Sequence, residues 1–381
     1  MAITINQSPQ IITPSDNPVT WVFESTQTAQ VNFYFIVEVE IANPSAFSVV
    51  ERHKIFPERN NIAHFDASSI TERYAVVNDR SLNQTIPQIR INIIENYNGV
   101  VGASISSSAS GVFKARLKKR DFVNYVSSDY SLLSSTGVKF MTLEPRGTVK
   151  VKQADLKYLT FVNALSVAIT STYKTYTSAG VLVDTQSESL GSGYWNTFSV
   201  GIDRLETDLS LSFVGASYYT IEVTSSTGAM EVFRIDLDTS CLYSTSTRLQ
   251  FLNTLGGIDA YTFGLLTREK TSVESFGYER QFGNYNASNQ FVYDVKDGTV
   301  IDFLKTSSKT MDVTSDWMKE SVQNWLSKEL YMSPIVWIED NPDLYRCKVT
   351  NKKFDKKIQE TDMLFQEVAE IELETEISVN V

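Results

Sequence analysis

Runs in which apolar and polar residues alternate recur along most of the chain and constrain its fold more than any other feature. In residues 35–41, FIVEVEI, apolar side chains stand at every odd position and glutamates at two of the even ones. Because successive side chains of a strand point to opposite faces, this period of two predicts a strand with one buried side. Ser- and Gly-rich segments separate such runs at a spacing of roughly ten residues, which is typical of turns. The pattern predicts a mainly β protein with two or three β-sandwich-like domains.

The 381 residues are enough for two or three domains of ordinary size. We expect an N-terminal β domain over 1–130, a middle β-sandwich domain over 131–245 and a C-terminal β-rich domain over 246–381. The Ser/Gly bias of 99–111 predicts a mobile loop or hairpin tip and not a packed strand. Residues 217–238 form the clearest predicted hairpin, since two β-rich runs flank a short turn containing glycine.

One amphipathic helix is predicted near the C-terminus, over 315–332. Its apolar positions recur at helical spacing and include Trp317 and Trp325. Thr314 or Ser315 is expected to cap the amino end, and a Ser-Pro pair follows the carboxyl end. The tryptophans either anchor the helix to its own domain or contact a neighbouring subunit, because large aromatic side chains are common at the centres of interfaces.

Charge and composition exclude several classes of function. The 34 basic and 45 acidic residues leave a net charge of −11, so neither a general nucleic-acid coat nor sequence-specific nucleic-acid binding is expected. Residues 1–18 lack the basic start and apolar core of a secretory signal. No apolar run is long enough to span a bilayer. We therefore expect a protein made in a cytoplasm, with no membrane partner.

The residues that most often perform catalysis or bind metals are scarce, since the chain has two histidines and two cysteines. Cys241 and Cys347 lie far apart, which excludes a four-ligand zinc site of the usual kind and favours two separate buried thiols over a single bridge. His64 could join Asp66 or Ser68 on one strand face in a nucleophilic site, or it could lie in an ordinary polar loop.

Paired carboxylates are the remaining candidates for chemistry. Asp236 and Asp238 could bind a hard cation or act as an acid/base pair. The same spacing is typical of the solvated side of a half-buried strand. No nucleotide-binding loop is present either. The sequence therefore predicts that the protein is not an enzyme and that it has no cofactor and no metal.

The C-terminal strand carries a row of like charges. Glu370, Glu372, Glu374 and Glu376 occupy one face of a predicted strand, and the other face is mainly apolar. Such carboxylates repel one another unless they stay hydrated or face a basic surface. The basic stretch 347–359 could supply that surface from an adjacent strand of the same domain, or from a neighbouring subunit arranged head to tail in a ring.

A second basic cluster lies at 114–121. It could meet an acidic patch of a neighbouring subunit or remain a solvated strand or loop. The candidate assembly contacts are Trp317, Trp325, Glu370, Glu372, Glu374, Glu376, Lys118 and Lys119.

One part of the chain also resembles a known class of proteins. Residues 248–274 contain the string Phe251-Leu252-Asn253-x-Leu255-Gly256-Gly257-x-Asp259-x-Tyr261-Thr262-Phe263, and 325–342 read WLSKELYMSPIVWIEDNP. Together with the opening run ITPSDNPVTWVFESTQTAQVNFYFIVEVEI, these residues resemble virion structural proteins of tailed bacteriophages, most closely those of crAss-like and other Bacteroidetes-infecting phages. The resemblance implies a β-rich, multi-domain subunit of a tail, collar or neck ring.

The resemblance further implies partners and a location. The subunit would assemble with copies of itself, with six- or twelve-fold symmetry as the expectation, and would contact other tail or neck proteins in the virion. It carries over no catalytic residues. Two alternatives stay open: a glycan-binding, receptor-recognising tail protein that stacks sugars on Tyr194 and Trp195, and a polysaccharide hydrolase that uses Asp236 and Asp238.

The string itself has the composition of a structural element. Gly256-Gly257 predicts a tight turn at positive φ, which Asp259 is expected to cap or brace. The aromatic residues on either side, including Phe251 and Phe263, are expected to pack the flanking strands.

Overall fold

The computed structural model describes residues 3–42, 46–58, 61–79, 81–131, 140–145, 147, 149–163, 167–226, 228, 230–239, 246–265, 267–295, 298–340, 343–351 and 364–377. Strands dominate the regular structure of these residues, so the prediction of a mainly β protein is confirmed. Four short α-helices also occur in this part of the chain, where the sequence predicted one.

The N-terminal region forms two sheets that enclose a common core. Its elements are β1 (Ile3–Gln7), β2 (Ile12–Pro14), β3 (Thr20–Ser25), β4 (Tyr34–Ala42), β5 (Phe47–Ile55), β6 (Ile62–Asp66), α1 (Ser68–Tyr74), β7 (Gln88–Tyr97), β8 (Val100–Ser106), β9 (Ser110–Phe113), α2 (Lys119–Val123) and a 3-10 helix (Ser127–Tyr130). One sheet has the order β1-β3-β6; the other has the order β2-β9-β7-β4-β5, with β8 beside β7. Trp21 and Phe23 of β3 pack with Phe35 of β4 and Ile91 of β7, as the alternating pattern requires.

Residues 99–111 are not a loop, and the prediction that no strand forms there was wrong, although the segment begins at the tip of the β7–β8 hairpin. They belong largely to β8 and β9, and β8 pairs with β7 from Ser106 opposite Asn92 to Val100 opposite Tyr97. The local composition favours a turn, but pairing with a long buried strand overrides it. Glycine is needed here because a Cβ on Gly102 would lie 2.9 Å from the Tyr97 ring.

The middle region packs a five-stranded sheet against a helix and a two-stranded sheet. Its elements are β10 (Lys150–Val151), β11 (Tyr158–Val162), β12 (Ile169–Tyr176), β13 (Leu182–Gly191), β14 (Trp195–Ser199), α3 (Ile202–Leu209), β15 (Tyr218–Ser225) and β16 (Met230–Leu237). The larger sheet has the order β10-β16-β15-β12-β13, and β11 pairs with β14. Phe161, Leu205 and Tyr219 meet in the core. The hairpin predicted at 217–238 is confirmed, with Tyr218 opposite Asp236.

The C-terminal region is one seven-stranded sheet with a helix on one face. Its elements are β17 (Thr247–Leu252), β18 (Ile258–Phe263), β19 (Thr267–Glu279), β20 (Asn284–Tyr285), β21 (Phe291–Val292), β22 (Val300–Thr314), β23 (Met318–Lys319), α4 (Glu320–Glu329), β24 (Val336–Asp340), β25 (Asp343–Val349), β26 (Leu364–Phe365) and β27 (Val368–Ile377). The sheet order is β18-β17-β24-β25-β27-β22-β19. Val322 and Trp325 of α4 pack with Phe251, Val313 and Ile371 of the sheet.

The predicted helix exists but is shorter at both ends, since α4 spans Glu320–Glu329 and not 315–332. Ser315 does not cap it: its hydroxyl accepts a hydrogen bond from the Glu367 amide at 2.8 Å. The next residues form β23, which pairs with β26. Contacts with a segment some fifty positions downstream therefore determine where the helix begins, and helical spacing alone could not reveal them.

Two hydrophobic clusters join the three regions. One contains Phe113, Trp195 and Leu255, which come from the N-terminal, middle and C-terminal regions in turn. The other packs Leu82 against Trp337. The three predicted domains thus share cores and pack directly on one another, while their boundaries stay a prediction.

Candidate assembly surface

The longest pair of strands extends beyond the rest of its sheet. β19 and β22 pair antiparallel from Thr267 opposite Val313 to Glu279 opposite Val300. We call residues 267–314 the arm and residues 280–299 its tip. At about 3.4 Å per residue, a thirteen-residue strand such as β19 is roughly 44 Å long. Every residue of β19 after Thr267 is exposed, so none of the described parts of the chain forms a layer over either face of this strand.

Support from the sheet reaches only the base of the arm. β27 pairs with β22 from Thr306 to Thr314, and in the described residues nothing pairs with the outer edge of β19. Ion pairs cross the arm near its base, with Lys270 Nζ 2.6 Å from Asp312 Oδ2 and Lys309 Nζ 3.0 Å from Glu269 Oε2. The outer part of the arm therefore offers free backbone groups along a strand edge.

The tip carries an exposed aromatic cluster. The rings of Phe282 and Tyr293 stack with centroids 5.6 Å apart, and Tyr285 meets Phe291 edge to face at 5.1 Å. Tyr285 and Tyr293 expose 69% and 67% of their surface. A Cβ on Gly283 would lie 2.5 Å from the Phe291 ring, so glycine is required for this packing. Exposed apolar groups concentrated in one place are typical of surfaces that bind another molecule.

An open trough of about 1850 Å³ lies beside the base of the arm. Its lining includes Lys309 and Glu269 of the arm and Tyr345 and Cys347 of β25. Burial raises the pKa of the Cys347 thiol to about 12, so this cysteine is a poor nucleophile at neutral pH. Across the described residues, no group of three His, Cys, Asp or Glu side chains could hold a metal ion. The described lining of the trough thus combines charged side chains with the apolar surface of residues such as Tyr345.

The predicted tryptophan contacts divide into one exposed and one buried residue. Trp317 lies outside α4, at the foot of the arm, and is 64% exposed. Trp325 is buried in the C-terminal core, where its ring lies 5.5 Å from that of Phe251 and its Nε1 donates to Asp259 Oδ2 at 3.2 Å. Trp325 therefore anchors α4 to its own region and is not available to a partner, which corrects its place among the candidate contacts.

The predicted lysine contacts divide in the same way. Lys118 Nζ lies 3.0 Å from the buried Glu329 Oε1 of α4, so this lysine joins the N-terminal and C-terminal regions of one chain. Lys119 is exposed at the first residue of α2. Of this pair, Lys119 remains the candidate contact.

The alternation predicted for the acidic strand is present in β27. Ala369 and Ile371 are fully buried, whereas Glu370 is exposed and Glu372 is partly exposed. Lys348 lies opposite Glu372 in the sheet, with Nζ 4.0 Å from Oε2. Here the basic surface comes from an adjacent strand of the same chain. The side chains of Glu374 and Glu376, and residues 352–363, lie outside the described residues.

The other candidates for chemistry have ordinary structural surroundings. His64 is exposed on β6, not in a loop, and its Nδ1 lies 2.9 Å from Glu58 Oε1. Asp66 accepts hydrogen bonds from the backbone N–H groups of Val19 and Ser68, at 3.0 and 2.9 Å. Asp66, one of the proposed partners of His64, therefore bonds to backbone N–H groups, and His64 pairs with Glu58 instead.

Two further candidates are also engaged within the chain. Asp236 Oδ1 lies 2.8 Å from Arg234 Nε at the end of β16. Trp195, one of the two suggested sugar-stacking residues, is buried against Phe113 with ring centroids 5.0 Å apart. Cys347 forms no disulfide, and Cys241 lies outside the described residues.

The string around Gly256 braces the junction of the three regions. Gly256 has a φ of +86°, and a Cβ there would lie 2.6 Å from the Lys114 carbonyl oxygen; for Gly257 the distance to the Met141 carbonyl oxygen would be 1.7 Å. Asp259 is fully buried and accepts hydrogen bonds from the Thr142 hydroxyl at 2.7 Å and from Trp325. The predicted turn is confirmed, but its brace is Asn253 and not Asp259: Asn253 Oδ1 accepts hydrogen bonds from the N–H groups of Leu255 and Gly257, both at 3.0 Å.

A lysine and two acids are buried at this junction. Lys157 forms an ion pair with Glu144, and Asp259 lies in the same electrostatic environment. Burial, together with the neighbouring charge of Glu144, raises the pKa of Asp259 to about 7. We call Glu144, Lys157 and Asp259 the buried charge cluster.

No helix among the residues of known placement is long and apolar enough to cross a membrane.

Comparison with known proteins does not place the chain in a family. No protein-family model and no curated protein matches it. One solved structure, the crystal structure of Dpr2 Ig1-Ig2 in complex with DIP-Theta Ig1-Ig3, aligns with 98% of this chain and 90% of that chain at 7% sequence identity. Its TM-score is 0.20, which is too low to establish a shared fold.

Proposed function

We propose that the protein is a structural subunit of a tailed-phage virion, which forms a ring in the tail, collar or neck and joins adjacent layers. The observation that carries the assembly part of this proposal is the arm, an exposed strand pair with an aromatic tip. The virion part rests on the sequence resemblance. In this function the protein has no catalytic step, and its mechanism is the burial of the arm on neighbouring subunits.

The geometry of the arm favours a head-to-tail contact. The tip lies far from the arm's base along a strand of roughly 44 Å, so it can reach a surface that is distant from its own sheet. If that surface lies elsewhere on the next copy, the contact is heterologous, and a closed rotation produces a ring. Burial of the tip rings would remove apolar surface from water and stabilise the ring by the hydrophobic effect.

The test of assembly is a triple variant of the tip. Phe282→Ser, Tyr285→Ser and Tyr293→Ser together remove the exposed rings while leaving the strand pairing in place. We expect the full-length wild type to form closed rings, seen by negative-stain microscopy and mass photometry, and the variant to remain in smaller species. The shift in apparent dissociation constant should be at least tenfold for three hot-spot aromatic residues.

A matched control uses exposed apolar residues outside the arm. Ile11→Ser, Val181→Ser and Val214→Ser change three side chains of similar or greater exposure, at 65%, 62% and 86%. This control should assemble like the wild type. A wild type that is strictly monomeric both alone and in isolated particles would contradict the proposal. So would an equal loss of assembly in both triple variants.

The place in the virion needs a separate experiment. Electron microscopy of isolated particles, with an antibody against the purified protein, should label the tail, collar or neck. Labelling of the capsid surface alone, or no protein of this mass in the particles, would overturn that part of the proposal without affecting the assembly test.

A second candidate function is glycan recognition. It is favoured by the exposed rings of Tyr285 and Tyr293, since sugars stack on exposed aromatic faces. The buried Trp195 cannot serve this role. Binding to a glycan array that is lost in the tip variant and kept in the control would support it, whereas silence of the wild type on a broad array would count against it.

A further inference from the structure

The buried charge cluster holds one lysine and two carboxyl groups away from water. The side chains of Lys157 and Glu144 are 1% and 3% exposed, and Asp259 is fully buried. A buried carboxylate without a counter-charge is costly, so one lysine cannot balance two ionised acids. One acid is therefore neutral, and Asp259 is that acid, because burial raises its pKa.

The hydrogen bonds of the cluster leave its ionised form poorly satisfied. Glu144 Oε1 accepts from Lys157 Nζ and from the Ala260 N–H at 2.8 Å. Glu144 Oε2 is buried and has no hydrogen-bond partner among the described residues. Among the described residues, Lys157 Nζ donates a hydrogen bond to Glu144 alone, although an ammonium group has three N–H bonds to donate. Two buried ions with so few partners are less stable than in water.

We propose that Lys157 and Glu144 condense spontaneously into an amide between Nζ and the side-chain carbonyl carbon Cδ. The cluster contains what this reaction needs: an amino group in contact with a carboxyl group, and no bulk water around them. The product replaces two buried charges with one neutral amide. The inference concerns the chain itself and does not depend on the proposed assembly.

The step balances without any further reactant. The ammonium group of Lys157 passes one proton to Glu144 Oε2, which leaves a neutral amine and a neutral acid. The lone pair on Nζ then attacks Cδ, and the Ala260 N–H stabilises the negative charge that develops on Oε1. The Cδ–Oε2 bond breaks as Oε2 takes a second proton from Nζ. Two protons leave Nζ, and both depart with Oε2 as water.

The environment determines the direction of this reaction. In water, a separate ammonium and carboxylate are strongly hydrated, which disfavours condensation. In the cluster that hydration is already lost, so the neutral product gains relative to the ions. The twelve residues between Glu144 and Lys157 would then be closed into a ring, which ties residues 140–145 to the start of β11 at the junction with β18.

The experiment is the intact mass of the full-length protein under denaturing conditions. We expect the wild type to be lighter than its sequence mass by one water, and Lys157→Arg, which keeps the positive charge, to have its full mass. Trypsin cleaves after lysine and arginine, so the digest should contain residues 140–146 joined to residues 153–174 through Lys157.

Two results would overturn the proposal. One is a wild type of full sequence mass whose unfolded chain trypsin cleaves after Lys157. The other is a mass deficit of one water that persists in Lys157→Arg, because that water would have left another site. The first result needs only the wild type. The second is a mass measured on the denatured chain, so neither result requires a stably folded variant.

Discussion

Two lysine–glutamate pairs of this protein have the same chemistry and opposite surroundings. Lys309 and Glu269 lie about half exposed at the base of the arm, whereas Lys157 and Glu144 are almost fully buried at the junction of the three regions. On the arm, water and salt screen the pair, which contributes little to stability. In the buried charge cluster each ion depends on the other, because neither has water as an alternative partner. The same pair of residue types is thus dispensable in one place and structurally essential in the other.

The most direct test of this comparison is to replace each of the two lysines separately. Lys157→Ala removes the partner of Glu144, both as an ion pair and as the proposed amide, and leaves two buried carboxyl groups without a cation. It should lower the free energy of unfolding by about 3–5 kcal/mol. Lys309→Ala, the matched change on the arm, should lower it by less than about 1 kcal/mol. Urea unfolding of the two variants measures both values. Similar losses of unfolding free energy in the two variants would show that burial does not make the Lys157–Glu144 pair more important for stability than the Lys309–Glu269 pair.

Two glycine substitutions extend the comparison from charge to packing, because they test how much room the junction and the tip have for an added Cβ atom. Gly257→Ala would place a Cβ 1.7 Å from the Met141 carbonyl oxygen, so the junction must move, at a cost of at least about 1–3 kcal/mol. At Gly298, in the arm's tip, a Cβ would have no atom within 4 Å. Gly298→Ala should therefore leave the melting temperature nearly unchanged. If Gly257→Ala left the melting temperature unchanged while Gly298→Ala lowered it, the tip and not the junction would be the tightly packed region.

A dependence of stability on pH is also expected, and the buried charge cluster is its source. An aspartate in the unfolded chain has a pKa of about 4, and the pKa of Asp259 in the folded protein is raised to about 7 by burial and by Glu144. Between these values the folded state binds the additional proton. The contribution of Asp259 to the free energy of unfolding is therefore present at low pH and is lost as the pH rises to about 7.

Asp259→Asn removes that titration and supplies the measurement. The stability of the wild type relative to this variant should be greater at about pH 5 than at about pH 8, with most of the decrease complete by about pH 7. Urea unfolding at both pH values gives the two differences. A difference that is constant or grows with pH would mean that Asp259 does not hold a proton in the folded state.

Much of the fold could be predicted because its signals are local. The alternation in β4 and the hairpin of β15 and β16 depend on neighbouring residues, and the structure has both. The turn at Gly256-Gly257 was also evident, since few other residues reach positive φ without strain. By contrast, β8 looked like a loop, and the start of α4 was placed five residues too early. In both cases strand pairing determined the outcome: β8 pairs with the preceding strand β7, and β23, just before α4, pairs with β26 far downstream.

The candidate contacts were harder to predict for the same reason. The sequence indicated that Trp317 and Trp325 are large and periodic, but not that one is exposed and the other buried. The arm was missed because β19 has no apolar face, so its pattern resembles that of a polar connection. A usable signal was present, however: two long runs without proline flank a short segment rich in Asn and aromatic residues.

The sequence by itself determined the class of fold, the main turns and the scarcity of catalytic residue types, because each depends on composition or on residues a few positions apart. Only the tertiary structure decided which charges are buried, which aromatic residues remain exposed and how the three regions share their cores. The physical reason is that hydration of a side chain depends on every segment that packs around it. Lys157 and Lys309 are the same type of residue. Their surroundings alone make Lys157 a candidate for a covalent bond and leave Lys309 an exposed ammonium group.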